Sequence, residues 1–276
     1  MDNCVKVSLL QMAVGRDEQA NLEKARKMVL ESSERGAQIA VLPEMFICPY
    51  SHKYMPQYAE ERGGRAYSFL SACAREAGVV LVGGSIPERD GGKLYNTSFV
   101  FDQNGNEIAR HRKVHLFDAD VKGGIRFFES EIFTPGDELT LFSAYGHRFG
   151  LCICFDIRFP EIFRLMALKG AEAVFVPASF NMTTGPMHWE LSFRMRAVDN
   201  QLFTVGVAPA RDENGHYVSY ANSIACSPWG KVICRAGTAE GISIVQLDFD
   251  EVTAAREQLP ILNARKPDFY RKYAVD

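Results

Sequence analysis

"GLCICFDIRFPE", residues 150–161, begins as an apolar strand and ends as the start of a helix, with Pro160 suited to the first helical turn. Strand alternation puts Cys152 and Cys154 on one face, with Cys152 one pleat deeper. Cys154 then leaves the strand at the bend Cys154-Phe155-Asp156. In open α/β sheets, reactive groups gather at the carboxyl ends of strands. A cysteine at such a bend also lies near backbone N–H groups able to hold an oxyanion. Cys154 is therefore the better nucleophile and Cys152 the better core residue.

Outward from this stretch, strand-length apolar runs recur, each bounded by Gly, Pro, Asn or Asp. They include VKVSLLQMAV (5–14), QIAVLPEMF (38–46), VVLVGGSI (79–86), TSFVFD (97–102), AEAVFVPASF (171–180), LFTVGVAP (202–209), SIACSP (223–228) and ISIVQLDF (242–249). Helical patterns lie between several of them. One runs from Glu18 to Arg35 with Leu22, Ala25, Met28 and Val29 on a stripe and Gly36 as the stop. Others span 64–77, Pro160 to about Lys169, and 186–200. DQNGNE (102–107) carries the Asn-Gly signature of a hairpin. The pattern predicts an α/β layered fold with a mixed sheet or a pair of sheets. With no internal repeat or polar linker, one domain over 1–276 is the economical expectation.

Net charge is −3 and the pI is near 6.1, with no block of like charges. That argues against nucleic acid or an anionic membrane as a partner. No apolar run approaches the roughly 20 residues of a membrane span. The start of the chain, MDNCVKVSLLQMAV, does not read as a signal peptide. Seven cysteines, an odd number mostly inside apolar runs, fit reduced thiols and a cytoplasmic setting. The final stretch, ILNARKPDFYRKYAVD, mixes aromatics with four basic residues and reads equally as a subunit-binding arm or an ordered tail.

Two further strand ends carry reactive side chains. Glu44 follows Pro43 after the run IAVL, where a carboxylate is more often simply solvated. Lys113 sits between His111 and His115 in the cation-rich stretch ARHRKVHLFD (109–118). A thiol with an ordinary pKa near 8.5 needs a base or a cation to react at pH 7. Six histidines are available, at 52, 111, 115, 147, 188 and 216, and none has a spacing that singles it out. On residue type alone, a Cys-His pair is the first expectation. His111 and His115 are four apart without the partner motif of a metal site. The paired glycines of GVVLVGGS lack a nucleotide-binding pattern, and Trp189 and Trp229 read as packing residues.

LPEMF, HRKVHLFD and CICFDIRFPE, in that order and about 70 and 40 residues apart, resemble the three signature segments of the nitrilase (carbon–nitrogen hydrolase) superfamily. PASFNMTTGPMHWELSFRMRAVDNQ and SPWGKV extend the resemblance through nearly the whole chain. It implies a four-layer αββα sandwich with mixed sheets and a Glu-Lys-Cys site in place of a Cys-His pair. Glu44 would be the general base, Lys113 the cation facing the tetrahedral intermediate, and Cys154 the nucleophile. Glu129, in FFESEIFTPG, matches a second family glutamate that orients the lysine and substrate. No metal or organic cofactor is implied, and family members commonly pair as homodimers.

Within the superfamily, PEMFICPY, KVHLFDADVKGGIRFFES, NMTTGPMHWE and RAVDNQ resemble the ω-amidase branch. The implied substrates are small dicarboxylic monoamides such as α-ketoglutaramate and α-ketosuccinamate. Tyr50, Phe117, Phe155, Met182 and Thr183 are the expected substrate contacts, with Thr184 a further hydroxyl. Arg158 reads either as a carboxylate ligand or, more simply, as a partner of Asp156 or Glu161. Amidases of deaminated glutathione share the CxDxRFPE and TGPxHWE features. Nitrile hydrolysis, N-carbamoyl or aliphatic amide hydrolysis and a non-catalytic scaffold are the remaining alternatives.

Overall fold

The computed structural model describes residues 3–215 and 217–274, so His216 and the ends of the chain lie outside the described residues. The chain opens with β1 (Cys4–Gln11), α1 (Glu18–Glu34) and β2 (Ile39–Val41), followed by α2 (Arg65–Ala77) and β3 (Val80–Val82). Next come β4 (Ile86–Asp90), β5 (Lys93–Phe101), β6 (Glu107–Arg112), β7 (Asp118–Asp120) and β8 (Arg126–Phe128). Two antiparallel strands, β9 (Thr140–Ala144) and β10 (His147–Leu151), lead to α3 (Pro160–Leu168), β11 (Ala173–Pro177) and α4 (Gly185–Asn200). β12 (Phe203–Val207), β13 (Ile224–Cys226), β14 (Val232–Arg235), β15 (Gly241–Asp248), α5 (Asp250–Gln258) and α6 (Pro267–Lys272) complete it.

Two mixed sheets result. One runs β15-β1-β2-β3-β5-β4, with β6 on β5; the other runs β14-β13-β12-β11-β10-β9. In each, three neighbouring strands are parallel (β1-β2-β3 and β10-β11-β12) and the flanking strands are antiparallel. Period-2 alternation decides which face each residue fills. Val5, Val7, Leu9, Ile39 and Val41 meet Phe149, Leu151, Phe175, Val205 and Val207 between the sheets. Leu10, Ala40 and Leu42 point the other way and pack with Leu22, Ala25 and Val29 of α1 and Leu70 of α2. On the far side, Val174 and Val176 meet Phe163 and Met166 of α3 and Trp189 and Phe193 of α4. The layers are therefore helix, sheet, sheet, helix.

Local signals account for the boundaries. Asp17 caps α1 by accepting the Ala20 N–H at 3.1 Å. Asp102 Oδ1 accepts from the backbones of Asn104 and Asn106, shaping the β5–β6 turn around Gly105. One expectation needs correction. The β10–β11 ladder ends at Leu151↔Phe175, so neither Cys152 nor Cys154 lies within the strand. The Cys152 N–H makes a last bond to the Phe175 carbonyl at 3.1 Å. Asp156 then takes the Ile153 N–H at 2.9 Å and winds Cys154–Arg158 into a 3-10 turn.

Candidate active site

Glu44, Lys113, Glu129 and Cys154 converge at the ends of β2, β6, β8 and β10, and all four are buried. Lys113 Nζ lies 2.9 Å from Glu44 Oε1 and 2.7 Å from Glu129 Oε2. These contacts engage two of the three ammonium hydrogens, and the third has no partner among the described residues. Glu129 Oε2 also accepts the Phe117 N–H at 2.7 Å, tying the lysine's partner to an apolar wall. Asn96 of β5 places its Nδ2 at 2.9 Å from Glu44 Oε1 and 3.0 Å from Glu129 Oε1.

Burial raises the Glu44 carboxyl; Lys113 pulls it back down and Glu129 adds to the rise. Burial alone would lower Lys113, but Glu129 and Glu44 hold it well above the usual lysine value. Burial and then Glu44 push the Cys154 thiol well up, opposed by Lys113 and the Ser179 backbone. The Glu44 side chain keeps one oxygen, Oε2, without a hydrogen-bond partner among the described residues.

The backbone presents these groups at sharp bends. Cys154 has φ 45° and Met45, directly after Glu44, has φ 53°. Left-handed non-glycine residues cost about 1–3 kcal/mol each and persist where surroundings fix them. Beneath Glu44, Gly84 comes so close that a Cβ there would sit 2.2 Å from the Pro43 carbonyl oxygen. The paired glycines of GVVLVGGS thus make room for the Glu44 turn. At Cys154 the fixing group is Asp156. Besides Ile153 N–H it bonds His111 Nε2 at 3.0 Å, His115 Nδ1 at 2.8 Å and the His115 N–H at 2.9 Å. Both histidines flanking Lys113 therefore hold the Cys154 bend through Asp156, and no cluster suited to a metal occurs among the described residues.

Cys154 opens onto a slot of about 10 Å³ lined by Phe117, Phe155, Arg158, Asn181, Thr184 and Tyr217, among others. Glu44 opens onto a wider cavity of about 630 Å³ with Tyr50, Arg211 and Tyr217, and Ser179 and Tyr217 border both. The Tyr50 ring packs at a tilt against Tyr217, centroids 4.8 Å apart, and its buried hydroxyl lacks a partner among the described residues.

Met182 and Thr183 depart from expectation. Met182 is 40% exposed, and Thr183 Oγ1 accepts the Ile125 N–H at 3.1 Å. Neither lines the slot, because Asn181 turns the chain by accepting the Thr183 and Thr184 N–H groups. Arg158 pairs with neither Asp156 nor Glu161. Its guanidinium meets His188 Nδ1 at 3.0 Å, lies over Phe180 at 4.9 Å, and leaves Nε buried without a partner among the described residues. Asn96, Ser179 and Tyr217 escaped the sequence reading, since isolated polar residues carry no spacing signal.

The carbon–nitrogen hydrolase family profile matches residues 6–257. The chain belongs to that family. Omega-amidase NIT2 of Xenopus tropicalis is 46% identical over 265 residues, covering 96% of each chain, and omega-amidase NIT2 of Homo sapiens is 42% identical over 265 residues with the same coverage. Among solved structures, Saccharomyces cerevisiae Nit3, described as a member of branch 10 of the nitrilase superfamily, aligns with a TM-score of 0.88 at 37% identity over 96% of each chain. A mutant amidase from Nesterenkonia sp., solved with acrylamide added at its active-site cysteine, aligns at 0.80 with 26% identity, over 98% of this chain and all of that one. The αββα layering is thus that of the carbon–nitrogen hydrolases.

Proposed function

We propose that this carbon–nitrogen hydrolase is an ω-amidase, releasing ammonia from small dicarboxylic monoamides such as α-ketoglutaramate and α-ketosuccinamate. The buried Glu44–Lys113–Glu129 array set against Cys154 carries this reading. The near full-length likeness to omega-amidases supports the substrate class.

Glu44 Oε2 takes the thiol proton as Cys154 Sγ attacks the amide carbon. The third Lys113 hydrogen and the Phe155 backbone N–H receive the oxyanion, where one lost donor typically costs about 10²- to 10³-fold. As the C–N bond breaks, Glu44 returns its proton to the leaving nitrogen, giving ammonia and a thioester. Glu44 then deprotonates a water that attacks the thioester, and the dicarboxylate leaves with the thiol restored. Glu129 orients Lys113 throughout. Tyr50, Phe117 and Phe155 border the substrate. The substrate's distal carboxylate meets Arg158, whose buried Nε otherwise lacks a partner among the described residues.

The same reading takes residues 1–276 as one catalytic domain acting without a cofactor. It also takes the chain as a homodimer joined through the exposed apolar residues Leu165 and Leu168 of α3 and Met187, Leu191 and Met195 of α4. Seven free cysteines suit the reducing cytoplasm. Ammonia release from α-ketoglutaramate, deaminated glutathione and uncharged butyramide tests the substrate class. A preference for α-ketoglutaramate of about 10²-fold in kcat/KM is expected from one charge-assisted contact. Preference for the deaminated tripeptide overturns the assignment.

A further inference from the structure

The buried Glu44–Lys113–Glu129 array sets two carboxyl groups against one ammonium, so ionising both carboxyls would leave one negative charge in excess. A buried charge needs further donors to stay ionised. Both hydrogens of the Asn96 amide supply them, since Nδ2 lies 2.9 Å from Glu44 Oε1 and 3.0 Å from Glu129 Oε1. Its backbone serves the same group: the Asn96 carbonyl accepts the Lys113 N–H at 2.9 Å, just past the Thr97↔Arg112 pair of β5 and β6. Asn96 is itself buried, at 1% exposed.

We propose that Asn96 is a positioning residue that spaces Glu44 and Glu129 on either side of Lys113 and keeps Glu44 available as a proton acceptor. It acts through Glu44 and need not touch substrate. The inference rests on the reading of Glu44 as the base. The other ionisable groups around Glu44 are Lys113, Glu129, Cys154, Tyr50 and Tyr217. None of them offers a neutral pair of donors. Burial already drives the Glu44 carboxyl upward, so removing these donors raises it further.

The test is the acid limb of kcat/KM against pH for α-ketoglutaramate, together with the pH dependence of Cys154 alkylation by iodoacetamide. In Asn96→Ala both limbs move up by about 1–2 pH units, the size expected for lost hydrogen bonds to a charged group. Asn96→Asp keeps the shape but swaps donors for an anion, so its limb moves up at least as far. It also carries the test should the alanine variant not fold. Asn200→Ala is the stability control, because Asn200 is buried at the end of α4 with Nδ2 on the Arg196 carbonyl at 2.9 Å. It lowers the melting temperature without moving the limb. Unmoved limbs in both Asn96 variants overturn the inference, whatever happens to the melting temperature. If Glu44→Gln retains wild-type activity, the reading of Glu44 itself falls; if it is inactive while the Asn96 limbs stay put, only this inference falls.

Discussion

The two sheets bring unlike contributions to one site. From the first sheet and the hairpin beside it come Glu44, Asn96, Lys113 and Glu129, paired with one another at 2.7–3.0 Å in a buried cluster. From the second come Cys154 and a slot walled by Phe155, Arg158, Phe180 and Asn181, where the guanidinium Nε has no partner among the described residues. One side is a network of charged groups already paired with one another, and the other offers, beside the thiol, a guanidinium nitrogen left unpaired among the described residues. Preorganised charge suits transition-state stabilisation, whereas an open cation suits recognition of an anion.

The sharpest way to break this comparison is within the opening motif. Cys154→Ala should abolish ammonia release, a loss of about 10⁴-fold or more for a removed nucleophile. Cys152→Ala, two residues away in a fully buried site, should keep kcat within about twofold while lowering stability by about 1 kcal/mol. Steady-state kinetics and thermal melting of both variants check this, and a reversal of the two would refute the assignment. Next in size, Arg158→Met should lower kcat/KM for α-ketoglutaramate by about 10²-fold while leaving butyramide within about twofold. Equal losses on both substrates would mean that Arg158 supports the fold and not the carboxylate.

Much of this was legible in the sequence. Strand and helix periodicity gave the alternation of elements, because each strand has one face toward the other sheet and one toward helices. Cys154 stands out from its bend alone, whereas the roles expected of Glu44, Lys113 and Glu129 come only from the ordered set of motifs, since a lone glutamate after Pro43 looks like any solvated strand end. What escaped was relational. Asn96 gains its meaning only when β5 lies between the Glu44 and Glu129 turns. Arg158 looked like a partner for Asp156 until His111 and His115 proved to occupy that carboxylate. The Asn181 turn leaves Met182 exposed and sets Thr183 against the β7–β8 hairpin, a placement no sequence spacing encodes.

Asp156 joins the two contributions, so its loss should be felt in stability before chemistry. Burial alone would raise its carboxyl, but hydrogen bonds with His111, His115 and the Ile153 backbone hold it far below the ordinary aspartate value. A depressed folded-state pKa contributes stability that is present above the unfolded value near 4 and is lost as pH falls below it. Asp156→Asn should therefore lower stability by about 2–3 kcal/mol at pH 7, a deficit that shrinks on acidification through pH 4. Denaturant unfolding at pH 7 and pH 3 reads this directly; an equal deficit at both would remove the electrostatic account. Activity should fall by about tenfold, through a loosened Cys154 bend.

The smallest effect concerns the β7–β8 hairpin that closes over the site, where Phe127 packs on Tyr50 at 5.3 Å. Thr183 clips this hairpin through Ile125, and Gly124 presses against it so closely that an added Cβ would lie 2.5 Å from Thr183 Cγ2. Gly124→Ala should push the hairpin outward and raise KM by about threefold to tenfold, equivalent to about 1 kcal/mol. Thr183→Ser removes the offending methyl and keeps the hydroxyl, so the double variant should recover most of the loss. The coupling between the two changes isolates the contact from any general weakening of the fold. If the double variant is no better than Gly124→Ala alone, Thr183 does not set the hairpin's position, and the boundary between the closed and open sides of the site must be drawn elsewhere.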